Sequence, residues 1–156
     1  MTLNLTAFLN MLAWSEGTST VLGSDDGYNV LVGGSLFASY ADHPRKLVAI
    51  PSLGLSSTAA GRYQLLARYF DAYKAQLHLP DFSPASQDAI AIQQITERRA
   101  IPDIEAGRLD VAILKCSNIW ASLPGAGYNQ HERTYPALEN AYLNAGGTLN
   151  GAEVPA

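Results

Sequence analysis

Cysteine is almost missing from this sequence, with Cys116 the only one in 156 residues. An internal disulfide is thereby excluded, and the chain is suited to accumulation in a reducing compartment. Charged residues make up only 15% of the chain, with no lysine or arginine block and a formal net charge of −4. Such a balance gives no electrostatic support for nucleic-acid binding. It also gives no attraction to an anionic surface, so binding to one must rely on a shaped groove. No apolar run approaches the roughly 18 residues of a membrane span. The opening MTLNLTAFLNMLAWSEG lacks a basic segment, and polar positions interrupt its apolar ones, so it reads as an amphipathic helix rather than a signal peptide. His43, His78 and His131 are scattered, and neither HExxH nor CxxC occurs, so no metal, no cofactor and no zinc amidase chemistry is expected. Cys116, flanked by Ala112, Ile113 and Ile119, is expected to be a core thiol rather than a nucleophile.

What is present is enough apolar residue, 47% of the chain, to build one domain with a substantial core over 1–156. Leu5, Phe8, Leu9, Leu12 and Ala13 recur at helical spacing and predict a first helix over about 4 to 15, stopped by Gly17. Residues 17–58 differ. They are rich in glycine and proline, with β-type runs at Tyr28–Val32 and Leu36–Tyr40 separated by Gly33-Gly34, a hairpin signal. This segment reads as a small, irregular β-lobe. Helical patterning returns over 59–147. Tyr63, Leu66, Tyr69, Phe70, Tyr73 and Leu77 mark one long helix ending near Leu79-Pro80. Ser83-Pro84 opens another that runs to about Arg99. Shorter helices are expected at 102–106, 109–117 and 135–145, and residues 148–156 are expected to fray. The fold class is α+β, mainly helical, with the β-lobe placed after the first helix.

Three stretches carry candidate chemistry. In Trp14-Ser15-Glu16-Gly17-Thr18, Glu16 falls at a helix C-terminus, where the dipole disfavours a carboxylate and keeps an acid protonated. A group that must protonate a glycosidic oxygen near neutral pH needs such surroundings. On pattern alone, the same residue also fits an ordinary solvated helix end. In Thr58-Ala59-Ala60-Gly61-Arg62-Tyr63-Gln64-Leu65, the small residues allow close approach, and Arg62, Tyr63 and Gln64 offer groups suited to sugars and N-acetyl amides. The alternative makes Tyr63 and Leu65 core and Arg62 solvent-facing. The Gly/Pro-rich stretch from Ala121 to Asn129, with Tyr128, is either a cleft-lining loop or a plain interhelical connection.

Taken together, AFLNMLAWSEGT, GYNVLVGG, LFASYADHPRKLV, STAAGRYQLLARYFDAYKAQL, DFSPASQDAIAIQQI and CSNIWASLPGAGY closely resemble the bacteriophage lambda endolysin family. The matching stretches occur in family order over roughly residues 7 to 147. The chain departs from the pattern between Thr18 and Gly27, where it is shorter and carries Asp25-Asp26, and again after Gln130. The resemblance implies a lysozyme-like fold and a lytic transglycosylase that cuts the β-1,4 bond between N-acetylmuramic acid and N-acetylglucosamine, leaving 1,6-anhydro ends. It implies Glu16 as the catalytic acid. Gln64 and Tyr128 occupy positions similar to cleft-lining motifs of broader transglycosylase families, and Arg62, Tyr63, Ser57 and Thr58 are expected to line the same substrate cleft. The implied partner is peptidoglycan. The protein would be a monomer without stable membrane association, held in the host cytoplasm until a holin permeabilises the membrane, and acting then on the periplasmic wall. Two other readings compete: a hydrolytic lysozyme pairing Glu16 with Asp25, and a non-catalytic wall-binding module on the same scaffold. Against the first, Ser24-Asp25-Asp26-Gly27 is a strong turn sequence in its own right.

Overall fold

A computed structural model describes residues 1–125 and 132–150. The first helix is α1, Leu3–Ser15. Thr2 Oγ1 accepts a hydrogen bond from the Leu5 amide at 3.2 Å, pairing one of the donors that a helix start leaves open. The five apolar positions expected to be buried are buried, and Ala7, Met11 and Ser15 are too, so the helix is enclosed on more than one face. Gly17 follows with φ +77°, a left-handed backbone that favours glycine and stops the helix.

The chain divides into two compact units: Met1–Ser15 with Gln93–Ala156 (unit 1), and Glu16–Ile92 (unit 2). This division differs from the lobes drawn at residue 58, because α2 (Ala67–Leu77) and the first turns of α3 (Pro84–Glu97) group with the glycine-rich segment.

Within unit 2 the hairpin expected over 28–40 shrinks to a single bridge, Val30↔Leu36. Leu31 instead bridges Ala60, and the Val32 amide donates to the Ala59 carbonyl at 3.0 Å, so the pairing groups are drawn to a later segment. The sheet lies elsewhere, where no strand was expected. β1 (Val48–Ile50) runs antiparallel to β2 (Leu55–Ser57), with Val48 opposite Ser57 and Ile50 opposite Leu55. A turn of 3-10 helix at Pro51–Leu53 reverses the chain, and the Gly54 amide closes it on the Pro51 carbonyl.

The helix predicted through Tyr63 starts only at Ala67. Gln64 has φ +55°, and Ala60 and Leu65 exchange backbone hydrogen bonds of 3.1 and 2.9 Å, so residues 60–65 form a tight loop that a helix cannot include. Thr58 Oγ1 then accepts the Ala67 amide at 3.0 Å as the helix begins. The Ser83 cap of α3 is as expected, with its Oγ accepting the Ser86 amide at 3.3 Å. Leu31, Ala60, Leu65, Phe70, Phe82 and Ile90 form the core of this unit. Each fully buried Phe, Leu or Ile among them is worth about 1.5–3 kcal/mol over its exposed state.

Within unit 1, α1 packs against α6 (Tyr135–Asn144) and α4 (Ile101–Glu105), and α4 packs against α5 (Leu109–Cys116). Thr134 caps α6, accepting the Ala137 amide. Asp103 is buried between two cations, Lys115 at 2.6 Å and Arg108 at 3.0 Å. Residues 148–150 are not frayed. The Thr148 amide and hydroxyl both donate to Asn4 Oδ1, and the Asn150 amide donates to the Gly107 carbonyl at 2.9 Å. The rest of the tail that was expected to fray, 151–156, lies outside the described residues. Among the described residues, no helix is long and apolar enough to cross a membrane.

Candidate active site

Glu16 is the first residue beyond α1 and is half-buried. The chain entering it is fixed within unit 1. Ser15 Oγ donates to Ser122 Oγ at 2.7 Å, and the Arg133 Nε donates to the Ser15 carbonyl at 3.2 Å. The same guanidinium lies 4.7 Å from the centre of the Trp14 ring. A cation on the last carbonyls of a helix is the favourable partner for its negative end. Nothing in the sequence around Arg133 marks it for this role, because its partners precede it by more than a hundred residues.

The chain leaving Glu16 is fixed within unit 2 by Arg62. Thr18, only 2% exposed, donates from Oγ1 to the Arg62 carbonyl at 2.6 Å. The Arg62 side chain reaches the far end of the same loop, where Nε donates to the Asp26 carbonyl at 2.9 Å and Nη2 pairs with the Asp26 carboxylate at 3.3 Å. Gly27 closes the arrangement. A β-carbon there would lie 2.8 Å from the Thr18 carbonyl carbon, so the backbones meet where only glycine fits.

Arg62 and Tyr63 were expected to offer their polar groups to a sugar. They are 4% and 5% exposed, and their groups are engaged inside unit 2. Arg62 Nη1 donates to the Tyr63 hydroxyl oxygen at 3.1 Å, with the guanidinium over the Tyr28 and Tyr63 rings. Tyr63 in turn donates to Asp88 Oδ1 at 2.6 Å, and Tyr28 donates to the same carboxylate at 2.9 Å. Burial, then the Asp88 charge, pushes the Tyr28 hydroxyl up to about 12 and the Tyr63 hydroxyl higher still, so both stay protonated donors. These residues build the wall of the loop rather than its surface. Asp88 was missed in the sequence because an acidic residue in the first turns of a helix reads as ordinary dipole chemistry.

Gln64 is half-buried, and its amide donates to the Gly61 and Val30 carbonyls at 2.9 and 3.2 Å. Ser57 and Thr58, also half-buried, accept backbone amides from Ala59 and Ala67. Tyr128 lies outside the described residues. Asp25 is exposed, and its Oδ2 accepts the Tyr40 hydroxyl at 2.7 Å while the Tyr28 amide closes the turn on its carbonyl. Cys116 is buried, and burial pushes its thiol up to about 12, which makes it a core residue. Among the described residues, no cluster of histidine, cysteine and carboxylate groups could hold a metal ion.

A helix followed directly by a glutamate, a short sheet and a helical remainder are the parts of a lysozyme fold, and comparison with solved structures agrees. The chain matches a structure of bacteriophage lambda lysozyme complexed with a chitohexasaccharide at TM-score 0.93 and 56% identity, covering 96% of this chain and 98% of that one. A second structure of lysozyme from bacteriophage lambda matches at TM-score 0.88 and 54% identity, with the same coverage. The Endolysin family model matches residues 6–149. The endolysin of Escherichia phage lambda is 57% identical over 150 residues, covering 95% of this chain and 94% of the relative. The endolysin of Escherichia phage P2 is 49% identical over 154 residues, covering 92% and 93%. The chain belongs to the endolysin family.

Proposed function

We propose that this endolysin is a lytic transglycosylase, cutting peptidoglycan between N-acetylmuramic acid and N-acetylglucosamine with Glu16 acting as acid and then as base. The neutral carboxyl gives its proton to the glycosidic oxygen as positive charge grows on the muramic ring. The substrate's own N-acetyl group shares that charge. The ionised Glu16 then takes the proton of the C6 hydroxyl, whose oxygen bonds to C1 and closes the 1,6-anhydro ring. Attack from within the same sugar is efficient because the nucleophile is already in place.

The observation that carries this reading over hydrolysis is the placement of Asp25. The carboxylate that a two-acid mechanism would recruit is held by Tyr40 in an exposed turn. The glycan class is supported by the match to a lysozyme complexed with a chitohexasaccharide. Glu16 is supported by its half-buried position directly beyond α1, since partial burial favours the neutral acid. Gln64, Ser57, Thr58 and Tyr128 remain the residues proposed to meet the sugar. Held in the host cytoplasm, the protein reaches the wall once a holin has permeabilised the membrane, and it works there as a monomer.

The test is mass spectrometry of the muropeptides released from purified peptidoglycan. Anhydro ends about 18 mass units lighter than reducing ends, the mass of one water, are expected. Products with reducing ends only would identify a muramidase instead.

A further inference from the structure

We infer that Thr18 is a positioning residue for Glu16, acting through its hydrogen bond to the Arg62 carbonyl. The inference rests on the reading of Glu16 as the catalytic acid. Only Gly17 separates the two residues, and its left-handed backbone makes the chain between them a tight bend. A bend of that kind transmits the position of its far end, and Thr18 has little freedom. Its side chain is buried, its hydroxyl is 2.6 Å from the Arg62 oxygen, and its backbone is in contact with Gly27.

Arg62 is a suitable anchor because its own peptide is held on several sides. Its amide donates to Gln87 Oε1 at 2.8 Å, and Gln87 is fixed by donating to the Tyr28 and Phe82 carbonyls at 3.0 and 2.9 Å. Gly61, next in the chain, lies so close to Gln87 that an added β-carbon would overlap that amide. The guanidinium reaches back to Asp26, one residue from the Gly27 that touches Thr18. A single residue therefore fixes both ends of the loop that follows the acid, its carbonyl holding Thr18 and its side chain holding Asp26. A threonine at this place reads as an unremarkable residue after a helix stop. Its partner lies 44 positions away, so no local pattern reveals the contact.

Three variants test the inference in the full chain, with kcat and KM measured on soluble glycan strands of uniform length. Thr18→Val keeps the volume and removes the donor. It is expected to lower kcat by on the order of 10- to 100-fold with KM within about twofold, the pattern of a misplaced reacting group rather than a lost binding contact. Thr18→Ser keeps the donor and is expected to restore most of kcat. If Thr18→Val does not fold, Gly27→Ala displaces the same Thr18 backbone with the hydroxyl intact, and the same selective fall in kcat is expected of its folded fraction. Wild-type kcat in Thr18→Val, or in Gly27→Ala where that variant decides, overturns the inference, as does a Thr18→Ser enzyme no better than Thr18→Val. Glu16→Gln is assayed beside them. If it stays active, the reading of Glu16 itself fails. If it is inactive while Thr18→Val is unimpaired, only the positioning role does.

Discussion

The phenolic hydroxyl of Tyr63 donates to Asp88 at 2.6 Å, joining the loop that carries Arg62 to the helix α3. Tyr28 uses the same carboxylate, so one acid serves two hydroxyls from separate stretches of unit 2. Replacing Asp88 by Ala takes this acceptor from both. A destabilisation of about 2–3 kcal/mol is expected, since hydrogen bonds to a charged group are stronger than neutral ones. Urea unfolding should show a lower midpoint with an unchanged slope. Asp88→Asn should lose less. A midpoint matching the wild type would mean that the network contributes nothing net.

Removal of the acid is the direct check on the chemistry. Glu16→Gln should lower the rate of glycan cleavage by on the order of 10²–10⁴-fold, the usual contribution of a general acid. Its circular dichroism and binding to insoluble peptidoglycan should be retained, which separates an enzyme from a wall-binding module. Asp25→Asn should cleave within about threefold of wild type, because that carboxylate is engaged with the Tyr40 hydroxyl in an exposed turn and not with the reaction. Loss of activity in Asp25→Asn with activity kept in Glu16→Gln would reverse the assignment.

His43 predicts how stability varies with pH. The ring is buried against Phe70 and Phe82. Its Nδ1 accepts the Arg45 amide at 2.9 Å, so Nε2 must carry the proton that it donates to the Leu65 carbonyl at 2.8 Å. Burial, aided by the nearby Arg45 charge, holds its pKa below the ordinary histidine value. The folded state therefore takes up the second proton less readily than the unfolded chain does. The stabilisation is fully present above about pH 6.5 and is lost as pH falls from there through the folded value. Unfolding free energies measured from pH 7.5 downward should show this slope, and His43→Gln should flatten it.

The Cys116 thiol should be inert in the native protein. With the thiol buried and its pKa raised to about 12, almost no thiolate is available. Titration with a chromogenic disulfide should give no colour in buffer and one equivalent in denaturant. Rapid native labelling would show that this helix opens readily.

The sequence made some of these features legible and concealed others for identifiable reasons. Glu16 could be placed because α1 has a regular apolar repeat and Gly17 ends it, both local signals. Ser83-Pro84 was legible in the same way. The loop over residues 60–65 was not, since Tyr63 and Leu66 continue the helical spacing of Tyr69 and Phe70, while the left-handed backbones of Gly61 and Gln64 and the extended Leu66 break it. Periodicity records side-chain type and carries no trace of those backbone angles. Arg62 was legible as a residue of interest but not in its orientation, because its partners Asp26 and Thr18 are distant in the chain. The β1–β2 pair escaped because each strand has only three residues, too short for alternation to show.

The membership of α1 in unit 1 has a consequence for how the protein comes into being. α1 packs on α6, so residues made early wait for residues made much later in synthesis. All of Glu16–Ile92 must emerge before unit 1 can be completed, and that long closure makes its assembly a late, non-local step. A ribosome-bound chain halted before α6 has α4 but lacks the other helix that packs on α1. The segment that presents Glu16 is thus finished only once α6 has been made, and products truncated before it would carry the acid without that support.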